Sequence, residues 1–213
     1  MLQTIQNGNA VSRVAVLFIL AITFTRYGGA QPTVPPSRIL VEGEELTYNV
    51  RYGFIDLGQV RIKTTKRVKA NGVDAYQSVA YIDSYKKIPF VDLHAVFESH
   101  IDSSVFSHFF LGKSKDGDNW DFGRYRYDYA RNLVFLESGS KDTTIVQKRD
   151  TVRIDGSTQD GLSLFFFARD QLYSGRKQNV FAVVKEKKVS TLIDFQGKRK
   201  SVEYDLVDYP VEV

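Results

Sequence analysis

Arg124-Tyr125-Arg126-Tyr127-Asp128-Tyr129 sets a charged residue against a tyrosine at every step. A period of two marks a strand with one buried face and one wet face, and aromatic side chains suit that pleated, half-buried surface. The same alternation recurs on both sides of this stretch. Leu46, Tyr48, Val50 and Tyr52 alternate with Thr47, Asn49 and Arg51, and Val60, Ile62 and Thr64 with Arg61, Lys63 and Thr65. Phe54-Ile55-Asp56-Leu57-Gly58 is expected to connect these two strands as a hairpin. Ala70-Asn71-Gly72 marks the next turn, because Asn-Gly tolerates positive φ, and 75–84 follows as a strand. Proline interrupts the ladder in Ile88-Pro89-Phe90-Val91. Strands are expected over 94–102 and 105–111, with a polar turn over 113–119. Beyond Tyr129, Ala130-Arg131-Asn132 turns the chain into 133–137, and 143–154 reads as one more strand.

One stretch breaks the period. In Asp160-Gly161-Leu162-Ser163-Leu164-Phe165-Phe166-Phe167-Ala168-Arg169-Asp170-Gln171-Leu172-Tyr173, residues Leu162, Phe165, Phe166, Arg169 and Tyr173 fall at helical spacing. Asp160 suits an N-cap and Gly175 a C-terminal stop. Leu164 and Phe167 carry the apolar surface nearly all round, so the helix is expected to be largely enclosed. Strands resume over 180–185, 189–195 and 200–206, with Gln196-Gly197-Lys198 as a tight turn. The pattern amounts to about ten strands and one helix. Consecutive strands joined by short turns form antiparallel meanders, and a long curled meander needs something on its concave face. The expected fold is mainly β: a curved, half-barrel-like antiparallel meander wrapped around one buried helix.

The 213 residues give room for one domain and little more. A hydrophobic share of 43% against 25% charged residues is that of a globular chain. The formal charge is +4, but Arg13 and Arg26 stand in the first thirty residues without an acid beside them, which leaves the remainder close to balanced. That is too weak a charge to imply nucleic acid or an anionic membrane surface. Cysteine is absent, which excludes a disulfide framework, a thiolate nucleophile, a thiolate metal site and a lipid-modified cysteine.

Residues 1–13 are polar, and 14–24 form an apolar run some 16 Å long as a helix, against a hydrocarbon core of about 30 Å. Gly28 and Ala30 then supply small residues at the −3 and −1 positions of a cleavage site. Residues 1–30 therefore read as a secretory signal, and export to the periplasm or the exterior is expected, with no integral membrane span after cleavage. The alternative is an uncleaved N-terminal anchor, which Arg26 near the cut keeps open. Pro32, Pro35 and Pro36 make 31–38 an extended tether, and the single β domain is expected over 39–213.

The candidate chemistry is sparse. His94, His100 and His108 stand among Asp92, Glu98 and Asp102, but their spacing does not demand the three or four converging ligands of a metal site. Asp116-Gly117-Asp118-Asn119-Trp120-Asp121 lacks the spacing of a calcium loop and reads as turn formers. Gly161-Leu162-Ser163 lacks the second glycine of a nucleophile elbow. Glu44 and Glu45 fall on opposite faces of a strand and make a poor acid/base pair. No catalytic residue, metal or cofactor is expected. An enzyme would need two or more of His94, His100, His108, Asp92 and Asp102 in one cleft.

The expected function is a non-enzymatic binding protein holding a small hydrophobic or lipid-like ligand between sheet and helix. Tyr125, Tyr127, Tyr129, Leu162, Phe165, Phe166 and Arg169 are the groove candidates. The alternative is an envelope scaffold or protein-interaction module. It would work through exposed sheet edges and the basic clusters Lys185, Lys187, Lys188 and Lys198, Arg199, Lys200, which otherwise read as solvated hairpin ends.

Gly43-Glu44-Glu45-Leu46-Thr47-Tyr48-Asn49-Val50, followed by Gly53 and by Leu57-Gly58-Gln59-Val60, resembles the opening of the domain-of-unknown-function 3108 family of bacterial exported proteins. Phe97-Glu98-Ser99-His100-Ile101-Asp102 and Asp160-Gly161-Leu162-Ser163-Leu164-Phe165 are similar to later landmarks of that family. The resemblance implies a curved antiparallel sheet around a helix, loosely similar to periplasmic lipoprotein carriers. It brings no established activity and assigns no functional residues. Val211-Glu212-Val213 is strand-like to the last residue, where chains of the resembling family continue through further strands. A C-terminal truncation with an open apolar sheet edge is therefore expected.

Overall fold

The computed structural model describes residues 39–86, 88, 92–141, 143–171, 177–194, 201–204 and 207–210, the last two segments as backbone only. Eight strands lie side by side in sequence order: β1 (Glu45–Tyr52), β2 (Ile55–Ala70), β3 (Val73–Ser84), β4 (His94–Asp102), β5 (Ser107–Asp116), β6 (Asn119–Asp128), β7 (Leu133–Ser140) and β8 (Ile145–Arg153). Each neighbouring pair is antiparallel. β1 and β8 are edges, so the sheet is an open meander and not a closed barrel. The helix α1 (Ser163–Gln171) follows, then the hairpin β9 (Gln178–Val184) and β10 (Lys187–Ile193), then β11 (Ser201–Tyr204) paired with β12 (Val207–Pro210). The described strands thus number twelve, two more than the alternation alone suggests.

Strands run longer and turns are tighter than the sequence pattern implies. β2 already begins at Ile55, opposite Tyr52, so the first turn is Gly53-Phe54 and not 54–58. Gly58 lies inside β2, where an added Cβ would stand 2.3 Å from the carbonyl oxygen of Asp83 on β3. Its role is close backbone approach rather than a turn. In the same way β5 runs through to Asp116, and only Gly117-Asp118 turn, where 113–119 was expected. The Asn71-Gly72 turn between β2 and β3 is as read, with φ of 51° and 81°. β9 and β10 are joined by Lys185-Glu186, both at positive φ, 48° and 63°. Residues 89–91, Gly175, 196–198 and 211–213, and the signal and tether expected over 1–38, lie outside the described residues.

The inward positions of successive strands meet in one core. Val50, Val60, Ile62, Ala80, Ile101, Phe110, Tyr125, Tyr127, Val134 and Leu136 come from β1 to β7, and Leu162, Phe166 and Phe167 come from α1 and its approach. Inward residues of β1 through β7 thus share one core with the helix and its approach. The β9–β10 hairpin closes one side through Val180 and Val183. It is tied down by a parallel bridge at Gln159, whose amide donates to the Phe181 carbonyl at 2.8 Å and whose carbonyl accepts from Val183 N at 2.8 Å. The exposed edge strand β8 carries Lys148, Arg149, Asp150 and Arg153, and such charges discourage edge-to-edge pairing.

Candidate functional site

Inward residues of β3 to β6 are small at several neighbouring positions. Ala80, Ala95, Gly112, Ser114 and Gly123 stand where larger side chains would reach α1, and Gly112 and Gly123 are direct cross-strand partners. Beneath them a cavity of about 260 Å³ remains between the sheet, the start of α1 and the β9–β10 hairpin. Its walls include Val60, Ile62, Ile82, Leu93, Phe97 and Phe110; Leu162 and Phe165 close the helix side, and Val183 and Val184 the hairpin side. Lys113, Ser114 and Lys185 also line it. Burial pushes the Tyr125 hydroxyl pKa up, with hydrogen bonding to the Glu186 and Lys185 backbone opposing in part.

One layer further along the strands, the sheet turns polar. Thr64 and Ser78 are cross-strand partners with hydroxyls 3.3 Å apart, and Ser78 pairs in turn with Ser99. Ser99 Oγ donates to Asp160 Oδ2 at 2.5 Å, and Ser107 Oγ donates to the same oxygen. Asp160 Oδ1 accepts from the amides of Leu162 and Ser163, each at 2.7 Å, and Ser163 Oγ accepts from Asp160 N at 2.8 Å. Asp160 is thus the N-cap that the sequence suggested, plugged into the sheet through two serines. Ser163 is fully buried, and its hydroxyl takes part in this cap.

The groove candidates divide between these layers. Tyr125, Leu162 and Phe165 line the cavity. Tyr127 is 1% exposed and donates its hydroxyl to the Gln159 carbonyl at 3.2 Å. Tyr129 donates to the carbonyls of Ser107 at 2.5 Å and Thr158 at 3.2 Å. Both anchor the segment that leads into α1. Phe166 belongs to the filled core. Arg169 forms a bidentate pair with Glu44, both bonds 2.7 Å, which straps α1 to the chain ahead of β1. The helix is also less enclosed than expected: only Ser163, Phe166 and Phe167 are buried, while Leu164 and Phe165 keep partial exposure, Phe165 beside the cavity.

The basic clusters fare differently. Lys188 is paired with Asp155 and lies 4.3 Å from the centroid of the Phe181 ring. Glu186, between Lys185 and Lys187, is paired with Lys148. Lys198, Arg199 and Lys200 lie outside the described residues. The histidines each sit against carboxylates of their own: His94 with Asp83 at 2.8 Å and Asp92 at 3.2 Å, His100 with Glu98 at 2.9 Å, His108 with Asp102 at 2.9 Å. Among the described residues no three His, Asp or Glu side chains are grouped to hold a metal ion, and no helix is long and apolar enough to cross a membrane.

The model of the protein of unknown function (DUF3108) family matches residues 47–210. The chain belongs to that family. The DUF3108 match starts within β1 and ends with the last residue of β12, so it contains every residue that lines the cavity. No curated protein and no solved structure matches the chain. The residues that leave the cavity open, Gly112 and Gly123 above all, carry one signal in sequence: glycine in a strand interior marks a close approach or a space left free, without saying which.

Proposed function

We propose that this chain is an exported, non-enzymatic binding protein that holds a small hydrophobic ligand between the sheet and α1. One observation carries the reading: an apolar space of about 260 Å³ persists beside the buried core. Protein interiors pack to crystal-like density, and voids larger than a water molecule are few. An unfilled apolar void forfeits dispersion contacts along its whole lining, whereas apolar cavities of roughly this size take up small apolar molecules. Export is supported by the apolar run and small-residue cleavage site of residues 1–30. Native mass spectrometry of protein purified from a membrane-containing host tests the reading. An apolar adduct that a fluorescent acyl probe displaces is the expected result; absence of both adduct and probe binding refutes it.

A second reading, an envelope interaction module, is favoured by a different feature from the basic turns. Phe54 at the β1–β2 tip is 95% exposed, flanked by Tyr52 and Ile55, also exposed. Large exposed apolar side chains grouped in this way mark contact surfaces. Pull-down from envelope extracts with wild type and Phe54→Ser decides it: a partner captured by wild type and lost with the serine variant supports this reading, and identical capture excludes it.

A further inference from the structure

We infer that the ligand of this cavity is a single uncharged molecule with the bulk of a medium-chain alcohol, and neither a fatty acid nor a two-chain lipid. This rests on the binding reading above and adds size and charge state to it.

Size follows from volume. An apolar cavity of about 150 Å³ takes up one benzene ring, or about 25 Å³ for each carbon. At that ratio the 260 Å³ space accommodates about ten carbons. One medium chain fits, and two chains side by side do not. The space is also left open by choice of residue rather than by backbone need. Gly123 faces inward as the partner of Gly112, and its φ is not positive. An added Cβ would meet nothing closer than the Tyr125 hydroxyl at 3.5 Å, an ordinary contact. Neither conformation nor crowding requires glycine there; a side chain at 123 would occupy the cavity.

Charge state follows from what the walls offer. No carboxylate lines the cavity. Lys113 stands between inward Gly112 and Ser114, so the pleat turns its side chain to the outer face of the sheet, where it acts on Glu98. Lys185 lies in the β9–β10 turn and is engaged within the protein. The Tyr125 hydroxyl is hydrogen-bonded to the backbone of that same turn. Among the described lining residues this leaves a wall of aliphatic and aromatic carbon and the hydroxyl of Ser114, which faces inward opposite Ala95 at an exposed position. One neutral hydroxyl on the ligand finds a sufficient partner there. A carboxylate or an ammonium brought to the same edge is partly dehydrated with no counter-charge in return.

Titration of the delipidated, methyl-labelled protein with hexanol, octanol, decanol and dodecanol, each below its solubility limit and followed by methyl chemical shifts, tests the size. Affinity is expected to rise about fourfold per methylene through decanol and then to level. A rise that continues undiminished to dodecanol overturns the size. Octanoate and octyltrimethylammonium test the charge state. Octanol is expected to bind at least about tenfold more tightly than either. If either ion matches octanol, the neutral ligand is overturned and the binding reading stays intact; if none of these compounds binds, both are overturned. Gly123→Val should abolish octanol binding with the thermal midpoint retained, and undiminished binding by the folded variant counts against this cavity as the site. If that variant fails to fold, Gly123→Ala should bring the levelling to a shorter chain, and an unmoved levelling counts against the cavity in the same way.

Discussion

Asp160 and Asp102 are both held by hydrogen bonds, yet their carboxyl groups respond to acid in opposite senses. Full burial pushes Asp160 above its usual range, and the bonds from Ser107, Ser99, Ser163 and Leu162 offset this only in part. For Asp102 burial also pulls upward, but the His108 ring together with the amides of Phe106 and Ser104 outweighs it, and the carboxyl lies below its usual 3.8. The linkage signs follow. Asp102 contributes stability above about pH 4 that is lost as pH falls through its folded pKa. Asp160 contributes stability that is complete below about pH 4 and is lost as pH rises through its folded pKa. Urea unfolding across the acid range should therefore show the advantage of wild type over Asp102→Asn shrinking with falling pH. The balance between wild type and Asp160→Asn should tilt toward the variant with rising pH. Profiles parallel to wild type in both variants would contradict these assignments. The cap role of Asp160 was legible in sequence because it depends on residues two and three positions on. Its serine partners, 61 and 53 positions earlier, were not, since only the β4–β5 register brings them there.

Among the elements, α1 shows what a run of three phenylalanines hides from sequence. Helical spacing located the helix, but it could not say which ring fills the core and which borders a void. Phe166 is 2% exposed within the core, whereas Phe165 lines the cavity. Phe166→Ala should cost about 3–5 kcal/mol, the usual range for a buried ring. Phe165→Ala should cost only about 1–2 kcal/mol, because fewer packing contacts are lost beside an existing space. Urea midpoints at constant slope measure the difference; equal losses would mean that the cavity is packed shut in solution. The hairpins were legible for a simpler reason. Asn71-Gly72 supplies both positive φ angles by composition. Lys185-Glu186 does not, and its conformation is supported instead by the Lys148–Glu186 and Lys188–Asp155 pairs on either side of the turn.

For the molecule as a whole, the alternation of strands and its single interruption were enough to identify an antiparallel meander around a helix. The empty part of the concave face was not legible in the same way. A period of two says which residues point inward but not whether their volumes sum to a filled interior, and small inward residues such as Gly112 and Gly123 read as weak strand positions until the register makes them partners. The aromatic residues that suggested a groove are instead shared between its wall, Tyr125 and Phe165, and the packed layer beneath it, Tyr127 and Phe166.

Intermolecular nuclear Overhauser effects between decanol, an uncharged apolar probe, and methyl-labelled protein test the central claim most directly. The account predicts contacts from the chain to the methyl groups of Ala80, Ile82, Ala95 and Leu162, which line the cavity, and none to those of Val134 and Leu136, which lie in the filled core. Contacts confined to exposed methyl groups such as those of Ile55 or Val73, with the cavity methyls silent, would contradict it.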